Sequence, residues 1–472
     1  MSGPFGSTPH NLFNTTSAPS FYNGVVNQSL RFDNARNTFL NKPFTTAQTN
    51  TKKITASFWF KPSKISTDRM SLLYARNGGA GEIKLNNHKI YANLFDTGYD
   101  GFFNNSLIRD PAAWYHLVYQ GDSTLSTASA RNKVYLNGVQ LENNASSYTQ
   151  LNTDTNFLKN GQVAHIGRDA DNTGRDIDGY MAELHVIDGS VVDHTEFGEF
   201  NEGIWIAKSY SGSYGNNGFH MTFADSTTIG RDKSGSGTFV TANSFSTFGG
   251  GDTNFTAAEY AEGFDGKLST TCDRTGSGGI IEFTPSSAVT PTSHIMINAA
   301  SAAYTAASRP NSVLLQGSNN DGASWTTIDD LTNGSGANTV TTSSFSNTTS
   351  YAKLRLNISE NHGGSNTRFA QYLVFASENN GDGENVFFIE GLVAGDVVSD
   401  CPEHNFPVMN SICDAGSAQS IFAFTEGNLK IRNTASNYSQ AITTRSVRTG
   451  KWYYECYINE AGYPSWMIGW MV

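Results

Sequence analysis

Cysteine, charge and long apolar runs are all scarce in this sequence. Only four cysteines occur among 472 residues, at positions 272, 401, 413 and 456, and they are too few and too scattered for a disulfide framework. No stretch approaches the roughly 18 consecutive apolar residues of a membrane-spanning helix. The first residues have neither the basic start nor the apolar run of a secretory signal. We therefore expect folding in a reducing cytoplasm and no insertion into a membrane.

Charged residues make up 15% of the chain, and the net charge at pH 7 is -11. A negative long-range field repels nucleic-acid phosphates, and the sequence has no run of Lys and Arg interleaved with aromatic residues to offset it. Nucleic acid is therefore not an expected partner.

Glycine and aromatic residues are abundant by contrast. The chain has 46 glycines and 12% aromatic residues, with much Ser, Thr and Asn. These residue types favour short strands joined by many turns. A hydrophobic content of 38% fills several small cores, and 472 residues correspond to about three domains. We therefore expect an all-β protein built of tandem antiparallel β-sandwiches.

Short runs of alternating apolar residues recur at close spacing between residues 28 and 192. An Asn137-Gly138 pair after one of them is the strongest short signal of a β-hairpin. In the run from Tyr180 to Ile187, period-two alternation assigns even-numbered residues to one face and odd-numbered residues, with Glu183 and His185, to the other. One face then packs on a core and the other is mixed, as in a sandwich.

Three phrases in this part of the chain carry a family resemblance. Ser57–Pro62, Lys133–Val139 and Gly179–Gly189 look like strands of the laminin-G-like, concanavalin A-type jelly roll. The resemblance covers residues 28–192 and leaves a polar segment at 1–27. It implies an antiparallel β-sandwich.

Residues 193–251 form a segment rich in Gly, Tyr and Asn. The phrases Phe197–Phe200, Tyr210–Phe219 and Ile229–Gly235 resemble the connector that follows this domain in bacteriophage tail and fibre proteins. That resemblance implies a place in a virion. Physically, the aromatic residues can dock on the preceding sandwich while the glycines allow tight turns.

A second resemblance covers residues 252–377. Gly279–Phe283, Ser312–Ser318 and Tyr351–Ile358 look like strands of the discoidin-type, galactose-binding-like jelly roll. Cys272 stands where that family often has a tryptophan. Sugar binding is therefore not carried over to this domain.

The last region, 378–472, is interpreted as a linker followed by the start of a SPRY-like β-domain, which Thr449–Glu455 resembles. Only a fraction of such a domain fits before residue 472, so we expect a longer natural protein. Cys401, His404 and Cys413 are candidate zinc ligands. Three ligands without a fourth favour instead a solvent-facing loop and buried thiols.

Catalysis is not expected from this sequence. The first domain resembles a scaffold that also houses glucanases, which need two carboxyl groups about 5 to 10 Å apart. The corresponding strand carries Glu183 alone. No nucleophile elbow, phosphate-binding loop or paired-histidine zinc motif is present either.

A loop of the first domain has the spacing of a calcium site. Alternating acidic residues followed by Gly174 resemble the front half of a calcium loop, although the closing Glu is absent. Because Asp and Asn are also common turn formers, an ordinary loop is the alternative. The candidate Ca²⁺ ligands are Asp169, Asp171, Asp176 and Asp178.

A second loop of the first domain has the composition of a sugar site. Sugar recognition combines an aromatic ring for the apolar sugar face with amides and carboxylates for the hydroxyls. The alternative is that Phe102 and Phe103 belong to the core and the asparagines only turn the chain. Trp59, Trp114 and Trp325 are expected in cores. The candidate carbohydrate-binding residues are Tyr99, Asp100, Asn104 and Asn105.

These observations favour a non-enzymatic bacteriophage tail-fibre or appendage protein that binds host-surface polysaccharide through tandem lectin-like domains. By the same resemblance the protein is made in the host cytoplasm, resides in the virion and contacts other virion proteins. Such fibres are commonly homotrimers, although no coiled-coil heptad is visible. The alternatives are a virion adaptor that binds only protein, and the binding modules of a secreted polysaccharide-degrading enzyme.

Overall fold

The fold is described from a computed structural model of the chain. The residues described are 21–44, 46–64, 69–75, 80–97, 101–172, 174–226, 229–234, 240, 242–247, 262–299, 305–337, 339–376, 387–411, 422–434, 441–444 and 455–458. Their regular structure is almost entirely β-strand, which confirms the all-β prediction. No helix among them has both the length and the apolar character to span a bilayer. Short 3-10 turns occur at Asn34–Arg36, Ala128–Ala130, His194–Glu196, Ala306–Ser308 and Ala394–Asp396.

The first sandwich consists of two facing antiparallel sheets. One has the strand order β10-β9-β8-β3-β12-β1 and the other the order β2-β11-β4-β5-β6-β7. The strands of this region are β1 (Ser29–Phe32), β2 (Phe39–Pro43), β3 (Lys53–Pro62), β4 (Met70–Tyr74), β5 (Ala80–Asn86), β6 (Lys89–Thr97), β7 (Phe102–Leu107), β8 (Tyr115–Asp122), β9 (Asn132–Leu136), β10 (Val139–Gln140), β11 (Val163–Ile166), β12 (Gly179–Asp188), β13 (Gly198–Asn201), β14 (Ile204–Ala207) and β15 (Phe219–Met221).

The core lies between the sheets because their strands alternate as predicted. In β3, Ile54, Phe58 and Phe60 are fully buried in it. The predicted hairpin joins β9 to β10, where Asn137 and Gly138 both have positive φ, as a tight two-residue turn requires.

The alternation breaks inside β12. Met181 and Leu184 face the core, whereas Ala182 belongs to a cluster on the outer face. The pairing with β3 shifts between Ala182 and His185, and Glu183 has a φ of 46°. The assignment of Ala182 and Leu184 to one face was therefore wrong, because the extra residue of a β-bulge switches the face of everything beyond it.

The connector docks on the first sandwich, as its aromatic residues predicted. β13 and β14 form a hairpin, and β15 pairs with the second half of β12. The indole nitrogen of Trp205 donates to Nδ1 of His116, 2.8 Å away, and Nε2 of His116 contacts the Ser57 hydroxyl at 2.9 Å. Burial is the main reason that the pKa of His116 falls to about 3, so this buried imidazole is neutral. A side chain at Gly138 would clash with the Trp205 ring.

The second sandwich packs a five-stranded sheet, ordered β16-β18-β23-β20-β21, against a three-stranded sheet, ordered β22-β19-β25. Because β16 lies at 242–247, this sandwich begins inside the stretch assigned to the connector. Its strands are β16 (Ala242–Thr247), β17 (Cys272–Thr275), β18 (Gly279–Pro285), β19 (Ser293–Ile297), β20 (Pro310–Ser318), β21 (Thr326–Thr332), β22 (Val340–Ser344), β23 (Lys353–Asn361), β24 (Asn366–Phe369) and β25 (Gln371–Phe375).

The chain then returns to the first sandwich, although residues from 378 onward were expected to form a separate region. β26 (Phe388–Glu390) pairs with β2, and β27 (Val397–Val398) pairs with β1, so each sheet gains an edge strand. A hairpin of β28 (Phe422–Thr425) and β29 (Lys430–Asn433) follows. The predicted SPRY-like strand lies outside the described residues except for Glu455.

A buried ion pair fastens this returning segment. The Lys61 ammonium is fully buried on the outer face of β3 and lies 2.8 Å from the Asp400 carboxylate. It also donates to Asn405 Oδ1 and to the Phe406 carbonyl. The other Asp400 oxygen accepts from the indole of Trp114 at 3.1 Å. Lys61 and Trp114, whose side chains donate to the Asp400 carboxylate, are both more than 280 residues from it in the sequence.

Asp400→Asn should destabilise the protein by about 3 to 5 kcal/mol, because it leaves the Lys61 charge buried without a counter-ion. The matched control is Asp154→Asn, since Asp154 pairs with Lys52 at 2.6 Å but is half exposed. That change should cost less than about 1 kcal/mol. Urea unfolding of both variants measures the difference. Equal losses of unfolding free energy in the two variants would contradict a stabilising role for the buried pair.

Candidate functional site

The predicted sugar cluster is only partly visible. Tyr99 and Asp100 lie outside the described residues, and the chain from Phe102 onward is strand β7 where a loop was expected. Asn104 is buried, and its amide donates to the Glu142 carbonyl at 2.8 Å. Asn105 is exposed, so of the two described candidates it is the one with a side chain open to solvent. The prediction of sugar binding by these four residues stays a prediction.

The two phenylalanines of this cluster divide between the faces of the sheet. Phe102 is fully buried in the core, whereas Phe103 is half-buried on the outer face. There its ring packs at a tilt against that of Tyr91, directly opposite on β6, with 4.6 Å between centroids and 31° between planes. The alternation of β6 and β7 places both rings on one face, but the sequence did not show that the strands are paired.

Two lysines border these rings. The Lys89 ammonium lies 5.3 Å from the centre of the Phe103 ring and 3.3 Å from Asn105 Oδ1, and the Lys84 ammonium lies 5.6 Å from the centre of the Tyr91 ring. We call Lys84, Lys89, Tyr91, Phe103 and Asn105 the aromatic patch. Apolar ring surface beside ammonium and amide groups has the chemistry to hold a sugar, with its CH groups on the rings and its hydroxyls on the polar groups.

The predicted calcium loop brings two of its aspartates together. The backbone N–H of Asp169 donates to the Asp176 carboxylate at 3.2 Å, and both residues are buried. The Asp169 carboxylate also lies 3.7 Å from the guanidinium of Arg69 and 3.5 Å from that of Arg175. A calcium ion at Asp169 would therefore compete with two arginines.

The other two aspartates of the loop differ in burial. Asp171 is exposed, whereas Asp178 is largely buried near the Asp33 carboxylate. Among the described residues the four aspartates do not form a group whose ligand atoms all lie within 4.8 Å of one another. The calcium site stays a prediction.

Calcium binding is tested by the melting temperature of the whole chain in calcium and in chelator. The predicted weak site would raise the melting temperature in calcium by a few degrees, because an ion that binds only the folded state stabilises it. Asp171→Asn should abolish that rise. An identical melting temperature in both buffers would contradict the prediction.

Asp178 gives the folded state a pH dependence of its own. Burial, followed by the Asp33 carboxylate, raises the pKa of Asp178 to about 6. The folded chain thus holds this proton more tightly than the unfolded chain does, so the stability it contributes below pH 4 is lost as the pH rises to about 6.

Asp178→Asn should therefore have a higher free energy of unfolding than the native chain at pH 7.5 in chelator, by an amount on the order of 1 kcal/mol. The difference should shrink as the pH falls and vanish near pH 3, below the ordinary Asp pKa of about 3.9, where the native carboxyl is protonated in the unfolded chain as well as in the folded one. Unfolding curves from about pH 3 to 8 measure it. A difference that does not change with pH would contradict the assignment.

Two of the three candidate zinc ligands of the last region lie close together, since Cys401 and His404 pair through their backbones in an isolated β-bridge. Cys413 lies outside the described residues. The Cys401 thiol is fully buried and donates to the Val26 carbonyl at 3.0 Å. Burial raises its pKa to about 11, which disfavours the thiolate that zinc binds. The alternative of a buried structural thiol describes Cys401.

Glu183 has two histidine partners, although no second carboxyl group among the described residues joins it. Its Oε1 lies 2.7 Å from Nε2 of His220 and 3.5 Å from Nε2 of His185. The two imidazoles are stacked, with 4.1 Å between their centroids. We call Glu183, His185 and His220 the His–Glu cluster. His185 was visible in the alternation of β12, but His220 comes from the connector and no local pattern links it to this strand.

The charges of the His–Glu cluster are set by burial and hydrogen bonding. Burial acts to raise the pKa of Glu183, but contacts with His185 and His220 outweigh it and hold the pKa at about 2. The carboxylate is therefore ionised. The pKa of His185 is lowered, chiefly by burial. Glycoside hydrolases use a pair of carboxyl groups, whereas the partners of Glu183 are imidazoles.

The second sandwich puts two singled-out residues in unexpected places. Cys272 is fully buried in the core of this sandwich on β17. Trp325, expected in the core, is half-buried with its ring 4.5 Å from the guanidinium of Arg355. Trp59 and Trp114 are buried as expected.

Comparison with known families bears on the first sandwich. Residues 36–194 match the family model described as the concanavalin A-like lectin/glucanases superfamily. The lectin-like fold expected for this part of the chain is thereby confirmed. No curated protein matches the chain.

Solved structures resemble the chain over less than a third of its length. A family 32 carbohydrate-binding module of AlyQ in complex with 4,5-unsaturated mannuronic acid is 20% identical, with a TM-score of 0.25 over 30% of this chain and 99% of that one. A family 32 module of Clostridium perfringens NanJ in complex with galactose is 14% identical, with a TM-score of 0.24 over 28% and 92%. The chain covers 15% of a C. perfringens ZmpB structure containing two such modules and a catalytic domain, at 9% identity and a TM-score of 0.26 over 30% of this chain.

Proposed function

We propose that this chain is a non-enzymatic glycan-binding protein and that the aromatic patch of its first sandwich is a binding site. The observation that carries the proposal is the pair of rings of Tyr91 and Phe103, packed against each other at a tilt and half-buried on the outer face of β6 and β7. Half-buried rings on a surface leave apolar area for a ligand that offers CH groups and hydroxyls together.

The groups around the rings suit hydroxyls and carboxylates of a saccharide. The Lys89 ammonium has three donors, and its contact with Asn105 Oδ1 is long, at 3.3 Å. The Asn105 backbone N–H is bonded to Asn144 Oδ1 at 3.2 Å, which fixes the strand under the exposed amide. A bound sugar would therefore meet polar groups whose positions are set before it arrives.

We propose that the protein binds glycans and does not cleave them. The one acid singled out for catalysis, Glu183, is on the outer face of the other sheet, with a buried carboxylate and histidine partners. The family model that matches residues 36–194 includes lectins in its description, which supports the binding part of the proposal.

We infer further that the protein belongs to a bacteriophage tail fibre or other virion appendage and touches host-surface polysaccharide. The support is the resemblance of the phrases from Phe197 to Gly235. The ionic and aromatic fastening of successive segments to one sandwich also suits a part that must resist shear. Labelling of phage particles with an antibody against the chain tests this location; unlabelled particles would contradict it.

Phe103→Ala should weaken glycan binding roughly tenfold, since loss of one stacking ring costs about 1 to 1.5 kcal/mol. Phe200→Ala is the matched control, because Phe200 is 56% exposed on β13, outside the patch. Its binding should be unchanged. Glycan arrays and titrations with the best ligand, each in calcium and in chelator, measure both variants.

Two results would contradict the proposal. Silence of the native chain on glycans, with capture of purified virion proteins instead, would favour an adaptor. Loss of binding in Trp325→Ala but not in Phe103→Ala would move the site to the second sandwich.

A further inference from the structure

The His–Glu cluster has the donor set of a metal site. One imidazole nitrogen each of His185 and His220 and a carboxylate oxygen of Glu183 all lie within 4.8 Å of one another. Within the described parts of the chain it is the one group of three such residues that meets this distance. Two imidazole nitrogens and one carboxylate oxygen are ligands that suit zinc and its neighbours among the divalent transition metals.

Strand pairing brings the three donors together. His185 on β12 and His220 on β15 are directly opposite each other in the antiparallel ladder. Glu183 is two residues before His185 and sits at the β-bulge with a φ of 46°, a conformation that costs a non-glycine residue energy. Bulges re-aim side chains, and this one lets the carboxylate reach both histidines.

An outer hydrogen bond prepares His185 to be a ligand. Its Nδ1 lies 2.8 Å from the hydroxyl of Tyr214. When Nδ1–H donates to that oxygen, Nε2 keeps its lone pair and faces Glu183. Partners on the far nitrogen orient metal-binding histidines in this way and strengthen their hold on the ion.

The surroundings are rich in buried negative charge. The Glu183 side chain is 10% exposed. Asp232 is 3% exposed; one of its oxygens accepts from the His220 backbone N–H at 2.8 Å, and the other has no hydrogen-bond partner among the described residues. Buried carboxylates are costly without a compensating cation.

We propose that the His–Glu cluster binds one divalent transition-metal ion of the zinc class, held by His185, His220 and Glu183, and that this ion ties the connector to the first sandwich. Tetrahedral zinc with bonds of 2.0 to 2.2 Å separates its ligand atoms by about 3.3 Å. The contact of His185 with Glu183 is already close to that value at 3.5 Å, and that of His220 must widen from 2.7 Å. The His220 side chain is 16% exposed, so it can turn out of its stack and leave a fourth position for water.

The test uses the whole chain, freed of metal with a chelator. It is titrated with Zn²⁺ in a calorimeter, and the amount of bound metal is measured separately. One equivalent should bind, and the melting temperature should rise with zinc because only the folded state assembles the site. Co²⁺ should give the visible bands of a tetrahedral ion. Tyr214→Phe should weaken binding roughly 10- to 100-fold, since it removes the outer partner of His185.

Glu183→Gln and His220→Asn should abolish the stoichiometric site. His88→Asn is the matched control, because His88 lies in the β5–β6 turn at a φ of 65°, which Asn adopts readily, and it should bind zinc like the native chain. Circular dichroism shows which variants fold. If the folded native chain binds no zinc, or if its binding survives in folded Glu183→Gln and His220→Asn, the proposal is overturned.

Discussion

Strand β12 is buried on both faces, and this burial determines where the later segments of the chain dock. All ten residues from Gly179 to Asp188 are buried. A strand with one face on a core and the other under later segments cannot leave polar groups on its covered face unpaired, because each would cost about 1 to 3 kcal/mol. Glu183 and His185 therefore need partners, and the connector supplies His220 and Tyr214.

The same requirement extends to the strands beside β12. Lys61 on β3 is satisfied by Asp400 of the returning segment, and His116 on β8 by Trp205 of the connector. The outer face of this sheet is thus covered by two distant parts of the chain, the connector and the returning segment. Its polar residues specify where each later segment docks, because hydrogen bonds and ion pairs require particular partner atoms and apolar contacts do not.

Covering one sheet determines which surface is left for a ligand. The connector and the returning segment pack on the outer face of the sheet that holds β3, β8 and β12. On the opposite sheet, Tyr91 and Phe103 remain half-buried and Asn105 exposed. The proposed sugar site and the proposed metal site therefore lie on opposite faces of the first sandwich and have separate tasks, one of recognition and one of assembly.

The sequence predicted the fold class, the strand phrases, the hairpin at Asn137 and the docking of the connector, because these depend on local alternation, turn chemistry and composition. It missed the bulge at Glu183, since one extra residue leaves no mark in an apolar pattern. It also missed the pairing of His185 with His220 and of Lys61 with Asp400, which join residues 35 and 339 positions apart. The burial of the candidate sugar residue Asn104 could not be predicted either. Asn104 is buried because β7 is a strand, and β7 is a strand because it pairs with β6.

Whether the protein cleaves a saccharide that it binds can be measured directly. The chain is incubated with the surface polysaccharide of a bacterium that it binds, and bound sugar and new reducing ends are measured together. We expect reversible binding of the polysaccharide with no new reducing ends over many hours. Reducing ends that accumulate with the native chain and not with Glu183→Gln would contradict this expectation.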